Sequence, residues 1–187
     1  NRDLGLEAAG LYMFAAQLAA AIRIVVDAVG RSYSTWLFRR LADDGCRQDR
    51  QTVKYTYLAG VALLILGLLL AMAGPCLAEL IGGPDFVSAG KIFQLLVMGQ
   101  SFLGIYVLLS AFPLYAKRTG ALSRTTILAG FLHISLVLLL VPWFGLEGAG
   151  LAFLTSCLVR VVLVGHLAQS SVPMPWHSVF KPLRVRE

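Results

Sequence analysis

Five apolar stretches, over residues 8 to 30, 55 to 74, 89 to 112, 125 to 142 and 148 to 169, dominate this 187-residue chain. Each is near the roughly 20 residues with which an α-helix crosses about 30 Å of hydrocarbon. A helix also satisfies its own backbone hydrogen bonds, as a segment surrounded by lipid must. Hydrophobic residues make up 58% of the chain and charged residues 14%, which sets it apart from soluble domains. The expectation is an all-α polytopic membrane bundle with five transmembrane helices.

The connections sort by charge. Removing the five stretches leaves six segments, of which alternate ones hold most of the sixteen Lys and Arg residues. Arg31, Arg39, Arg40, Arg47, Arg50 and Lys54 follow the first stretch, opposed by Asp43, Asp44 and Asp49. Lys117, Arg118 and Arg124 follow the third, and Lys181, Arg184 and Arg186 close the chain. The intervening segments carry Asp3, Glu7, Glu79, Asp85 and Glu147, with Arg2 as their basic residue and Lys91 just inside the third stretch. Juxtamembrane Lys and Arg resist translocation, so the basic segments read as cytoplasmic. The start of the chain is then on the outer side, and residues 170 to 187 form a cytoplasmic basic tail beyond a transmembrane unit of residues 1 to 169. The chain opens at Asn1 on a short polar lead, which reads as a piece of a longer protein.

Basic residues apportioned among connections of one parity need no nucleic-acid partner to explain them. Cys46, Cys76 and Cys157 lie in a basic loop, at a helix end and inside a helix, so they make neither a disulfide framework nor a metal motif. No hydrolase triad, zinc-helix motif, phosphate-cradling glycine loop or dinucleotide fingerprint is present, and the connections are too short for a folded catalytic domain. The reading is of a protein that is not an enzyme and needs no cofactor or metal.

Two basic residues are left unexplained by topology, Arg23 and Arg160. At 100° per residue the first stretch separates Leu11, Phe14, Leu18, Ile22, Val25 and Val29 from Tyr12, Ala16, Ala20, Arg23, Asp27 and Gly30. The small and polar side is expected to meet other helices or a water-filled cavity. Arg23 and Asp27 can pair across one turn. They read either as a substrate contact with its counter-ion or as a pair about 11 Å from the cytoplasmic helix end that snorkels or braces itself.

Arg160 shares a face with Ala149, Phe153, Ser156 and Cys157, opposite Leu151, Leu154, Leu158 and Val162. It lies about 14 Å from its helix end, and reads as a cavity residue. His133, on a face with Thr126 and Gly130, reads as an interhelical hydrogen-bond partner before a proton relay. Gln17, Gln94 and Gln100 are expected to bond between helices. Tyr33 to Ala42 reads as a helix end anchored by aromatics, with an interfacial segment as the alternative.

The segment from Val141 to Gly150 brings Pro142 to end one helix, Gly145 to turn, and Gly148 with Ala149 to start the next close to its partner. Pro142, Gly145, Gly148 and Ala149 match the Pro-x-x-Gly-x-x-Gly-Ala pattern that joins the last two helices of polysaccharide and O-antigen flippases. These belong to the multidrug, oligosaccharidyl-lipid and polysaccharide exporter superfamily. The lead-in from Leu4-Gly5 to Gly10-Leu11-Tyr12 is similar to that family's entry to the eighth helix. Gly83 with Phe86 resembles its exterior turn before the tenth, and Lys117-Arg118-Thr119-Gly120 its basic turn before the eleventh. The absence of proline from residues 30 to 40 departs from the pattern.

The resemblance covers residues 1 to about 169, and implies helices eight to twelve of a twelve-helix, two-lobe transporter whose N-terminal lobe lies upstream. It implies transport of a polyprenyl-pyrophosphate-linked glycan across a bacterial inner membrane by alternating access, in polysaccharide or lipopolysaccharide biosynthesis. Arg23 and Arg160, with Asp27 and Tyr12 nearby in the cavity, are then candidate contacts for the anionic headgroup, because guanidinium forks match phosphate oxygens. A lipid II flippase or multidrug exporter of the same superfamily is the near alternative. A membrane-embedded glycosyltransferase or polymerase, or a structural membrane subunit, is the distant one.

Overall fold

A computed structural model describes residues 5–42, 50–83, 86 and 89–176. The described residues are all-helical apart from turns, with no strand. Four helices, α1 (Leu6–Ala42), α2 (Arg50–Gly82), α3 (Ala89–Tyr115) and α4 (Thr119–Ser171), are each long and apolar enough to cross a membrane. The expected fourth and fifth stretches thus share one element. α4 has a break at Gly145, whose φ of 58° and ψ of −133° leave the helical region. Its two arms lie side by side, since Arg118 Nη1 donates to the Ser170 carbonyl at 3.1 Å and Ser156 pairs with His133.

Proline and glycine act differently from the sequence expectation here. Pro142 does not end a helix, and the chain reverses three residues later, where Gly145 can adopt positive φ. Pro75, just past the expected stretch of residues 55 to 74, lies inside α2, which continues to Gly82. A proline inside a membrane helix is tolerated where neighbours re-satisfy the freed backbone groups, and α3 comes close at this point. A Cβ on Gly90 would lie 2.9 Å from Pro75 Cα. α2 ends at Gly83 (φ 87°), whose N–H donates to the Glu79 carbonyl at 2.8 Å. Tyr33 to Ala42 simply continue α1.

α3 is the central element, and α1, α2 and α4 all pack on it. Small residues make this possible, because close backbone approach is the main source of helix association in lipid. Gly60, Gly67 and Gly74 form a seam on α2 that faces Ile105, Ser101 and Phe93 of α3 in turn, so the two helices run antiparallel. Gly30 and Gly104 set Val107 and Val26 at the α1–α3 contact in parallel register. Gly99 against Phe153, and Gly150 against Leu95, set the second arm of α4 parallel to α3. A Cβ on Gly148 would strike the backbone of Leu140, which is how tightly the arms of α4 meet beside their turn.

These directions bring Arg39, Arg40, Arg50, Lys54, Lys117, Arg118 and Arg124 to one end of the bundle, the basic end. At the opposite end Lys91 Nζ lies 3.7 Å from Glu147 Oε1, so one of the basic residues that departs from the alternation has an acidic neighbour. The start of the expected basic tail packs back on the bundle: Val172, Met174 and Trp176 are buried, with the Trp176 ring 5.1 Å from that of Phe112. Lys181, Arg184, Arg186 and Cys46 lie outside the described residues.

The face of α1 that packs is not the one expected. Ala15, Ala19, Ile22, Val26, Tyr33, Leu37 and Leu41 are buried. Ile22, assigned to the greasy side, is 2% exposed, while Ala20, Arg23 and Asp27 are open. Alanines 15 and 19 let α1 approach its neighbours, and the polar side falls about a fifth of a turn away.

Candidate functional site

The arms of α4 and the middle of α3 border a half-open cavity of about 190 Å³, lined by Leu103, Ala129, Gly130, His133, Phe153, Ser156, Cys157 and Arg160. Its existence follows from residue sizes. Ala129 and Gly130 on the first arm face Ser156 and Cys157 on the second, and these short side chains leave room that leucine would fill. The volume suffices for several waters.

Arg160 is the charged residue of the lining, and no carboxylate lines it. Its Cζ lies 4.6 Å from the centroid of the Tyr106 ring, within cation–π range. Tyr106 is held in turn by its hydroxyl, 3.2 Å from Thr126 Oγ1. The ring therefore fixes the guanidinium without consuming its N–H donors. Arg160 Nε is buried and has no hydrogen-bond partner among the described residues. A buried unmet donor on a cation is costly, and an anionic oxygen or water beside it relieves that cost.

His133 and Ser156 bridge the arms. Ser156 Oγ donates to the Phe153 carbonyl at 2.8 Å and lies 3.3 Å from His133 Nδ1. With the hydroxyl proton so committed, Nδ1–H is the donor to Ser156. His133 makes the interhelical bond expected of it. The glutamines do not: Gln17, Gln94 and Gln100 bond to no other helix among the described residues, and Gln17 is exposed.

The four candidate residues fall in three places. Arg160 lies in the cavity, on the face the sequence assigned to it. Arg23 and Asp27 pair at 4.0 Å on an open side of α1, with their side chains 63% and 48% exposed. Asp27 also lines a groove of about 670 Å³ between α1 and α3, with Gly30, Arg31, Ser34, Val107 and Ser110. Tyr12 is half-buried against the apolar cluster around Ala15, Ala19 and Phe93. Neither the Arg160 cavity nor the groove beside Asp27 holds both arginines.

Tyr106 was missed by sequence reasoning. A tyrosine in an apolar helix reads as ordinary packing, and only the register between α3 and α4 shows it beneath Arg160. Comparison of the chain with protein-family models, with curated proteins and with solved structures finds no match. The site is therefore read from its own chemistry.

Proposed function

We propose that this chain forms part of a membrane flippase or exporter that carries a lipid-linked oligosaccharide across a bacterial inner membrane by alternating access. In this reading both arms of α4 cross the bilayer, giving five crossings with the basic end cytoplasmic. The bundle is one lobe of a two-lobe, twelve-helix protein, and the open Arg23–Asp27 side of α1 faces the water-filled space between the lobes. Four apolar helices and the gathering of basic residues at one end support the membrane placement.

The observation that carries the functional reading is the Arg160 cavity. A guanidinium held on a tyrosine face, beside space for water and with a buried donor unmet, is suited to a phosphate oxygen of a passing headgroup. An ionisable residue in a membrane helix that faces a cavity rather than lipid is a candidate for a substrate path. No carboxylate in the lining opposes such a headgroup.

The test uses the full-length protein in cells, with surface glycan and protein abundance read together. Arg160→Gln lowers export by at least about tenfold, as expected for loss of a charge-assisted hydrogen bond of roughly 1.5–3 kcal/mol. Arg160→Lys retains part of it, and abundance stays normal. Normal export by Arg160→Gln leaves Arg160 as a brace for Tyr106 and sinks the flippase role for this cavity.

A further inference from the structure

A second built site lies at the basic end, where α1 finishes and α2 begins. Tyr33, Trp36, Arg40, Gln51, Tyr55 and Leu58 line a groove of about 590 Å³ that continues past Ala59 to Ala62. The groove exists because α1 and α2 both lean on α3 and touch each other little. Its wall is ordered by contacts within it. Tyr33 is buried and its hydroxyl bonds Thr56 Oγ1. Trp36 packs its ring 5.7 Å from Tyr33 and 5.7 Å, edge-on, from Tyr55.

Polarity runs in one direction along the groove. Arg40 and Gln51, joined by a 3.0 Å hydrogen bond, stand at the helix ends. Tyr55, Leu58, Ala59 and Ala62 follow down α2 over roughly 10 Å, toward the middle of the span. Cationic head, aromatic collar and apolar floor are the order of a phospholipid entering from its leaflet.

Charge selects among lipids. In sequence, residues 31 to 54 carry six Lys and Arg against three Asp, and Arg39, Arg50 and Lys54 are exposed at this end of the bundle. Three aromatic rings can also form a cage for a quaternary ammonium. Here the Trp36 face is already occupied, since Arg40 Cζ lies 5.6 Å from its centroid. A choline group would bring a second cation against that guanidinium, whereas an anionic headgroup offers its phosphodiester with no ammonium to repel.

We infer that the groove between the C-terminal end of α1 and the N-terminal end of α2 binds an anionic phospholipid, its phosphate at Arg40 and an acyl chain along Leu58, Ala59 and Ala62. The site requires only that the chain sit in a bilayer, and is independent of the transport reading.

The full-length protein is placed in nanodiscs of equal phosphatidylglycerol and phosphatidylcholine, and native mass spectrometry counts the lipids retained after release. The wild type keeps phosphatidylglycerol over phosphatidylcholine by at least about fivefold. Arg40→Gln, which removes the charge, and Ala62→Trp, which fills the floor but leaves Arg40 in place, each abolish that preference. Arg124→Gln, an exposed charge at the same end but outside the groove, leaves it unchanged. Wild-type retention in either groove variant overturns the site. So does an equal loss in Arg124→Gln, which marks diffuse surface charge, or a preference for phosphatidylcholine, which marks an ammonium cage. Failure here leaves the Arg160 export result untouched, and the converse holds.

Discussion

Arg23 and Arg160 each carry a guanidinium into an apolar helix, and their surroundings differ in nearly every other respect. Arg23 stands 63% exposed with a carboxylate one turn away. Arg160 lies over a tyrosine ring at the edge of a cavity without a carboxylate in its lining. The first arrangement is self-contained and the second is not. An ion pair within one helix turn already has its partner, whereas a cation with an unmet buried donor is organised toward something that is not part of the helix.

The comparison breaks most completely if the cavity is destroyed while α1 is left alone. Gly148→Leu does this, because its side chain would run into the Leu140 backbone where the arms of α4 meet. The expected outcome is a large loss of folded protein, several-fold or more in membrane abundance, since backbone cannot give way as a side chain can. Normal abundance would mean that the arms separate without harm and that the cavity is not a fixed feature.

Next comes the ring beneath Arg160. Tyr106→Ala removes a cation–π contact of roughly 0.5–2 kcal/mol, and should lower export several-fold at unchanged abundance. Tyr106→Phe keeps the ring and loses only the bond to Thr126, so it should stay near wild type. Equal loss in both variants would show that the hydroxyl, not the ring, positions the arginine.

The smallest effect is expected at Arg23. An exposed pair at i and i+4 contributes about 0.3–0.5 kcal/mol, so Arg23→Gln should barely move the thermal unfolding of the detergent-solubilised protein. A shift of several degrees would show that the open side of α1 is covered and that the pair is a buried one.

The sequence reading succeeded where one helix suffices to decide and fell short where a neighbour decides. Phe153, Ser156, Cys157 and Arg160 were placed on one face and do line one cavity, because the second arm of α4 has a clear division between bulky and small residues. On α1 the division is gradual. Ala15 and Ala19 are as suited to a helix contact as Ala16 and Ala20, and only the position of α3 chooses between them. Pro142 looked like a helix end because proline ends helices in water, while in α4 the break falls at Gly145. Trp36 and Tyr55 share a groove across a connection, a juxtaposition that no single-helix pattern contains.

Cys157 gives the most direct test, because it lines the Arg160 cavity and is buried, while Cys76 is exposed at the opposite end from the basic connections. In full-length protein retaining Cys157 alone among its cysteines, a membrane-impermeant, water-soluble thiol reagent is applied with and without lipid-linked oligosaccharide. A cavity on the transport path predicts that Cys157 is modified during the cycle and that substrate slows the modification. An inert Cys157, or one modified at the same rate with substrate present, would contradict a substrate path through this cavity.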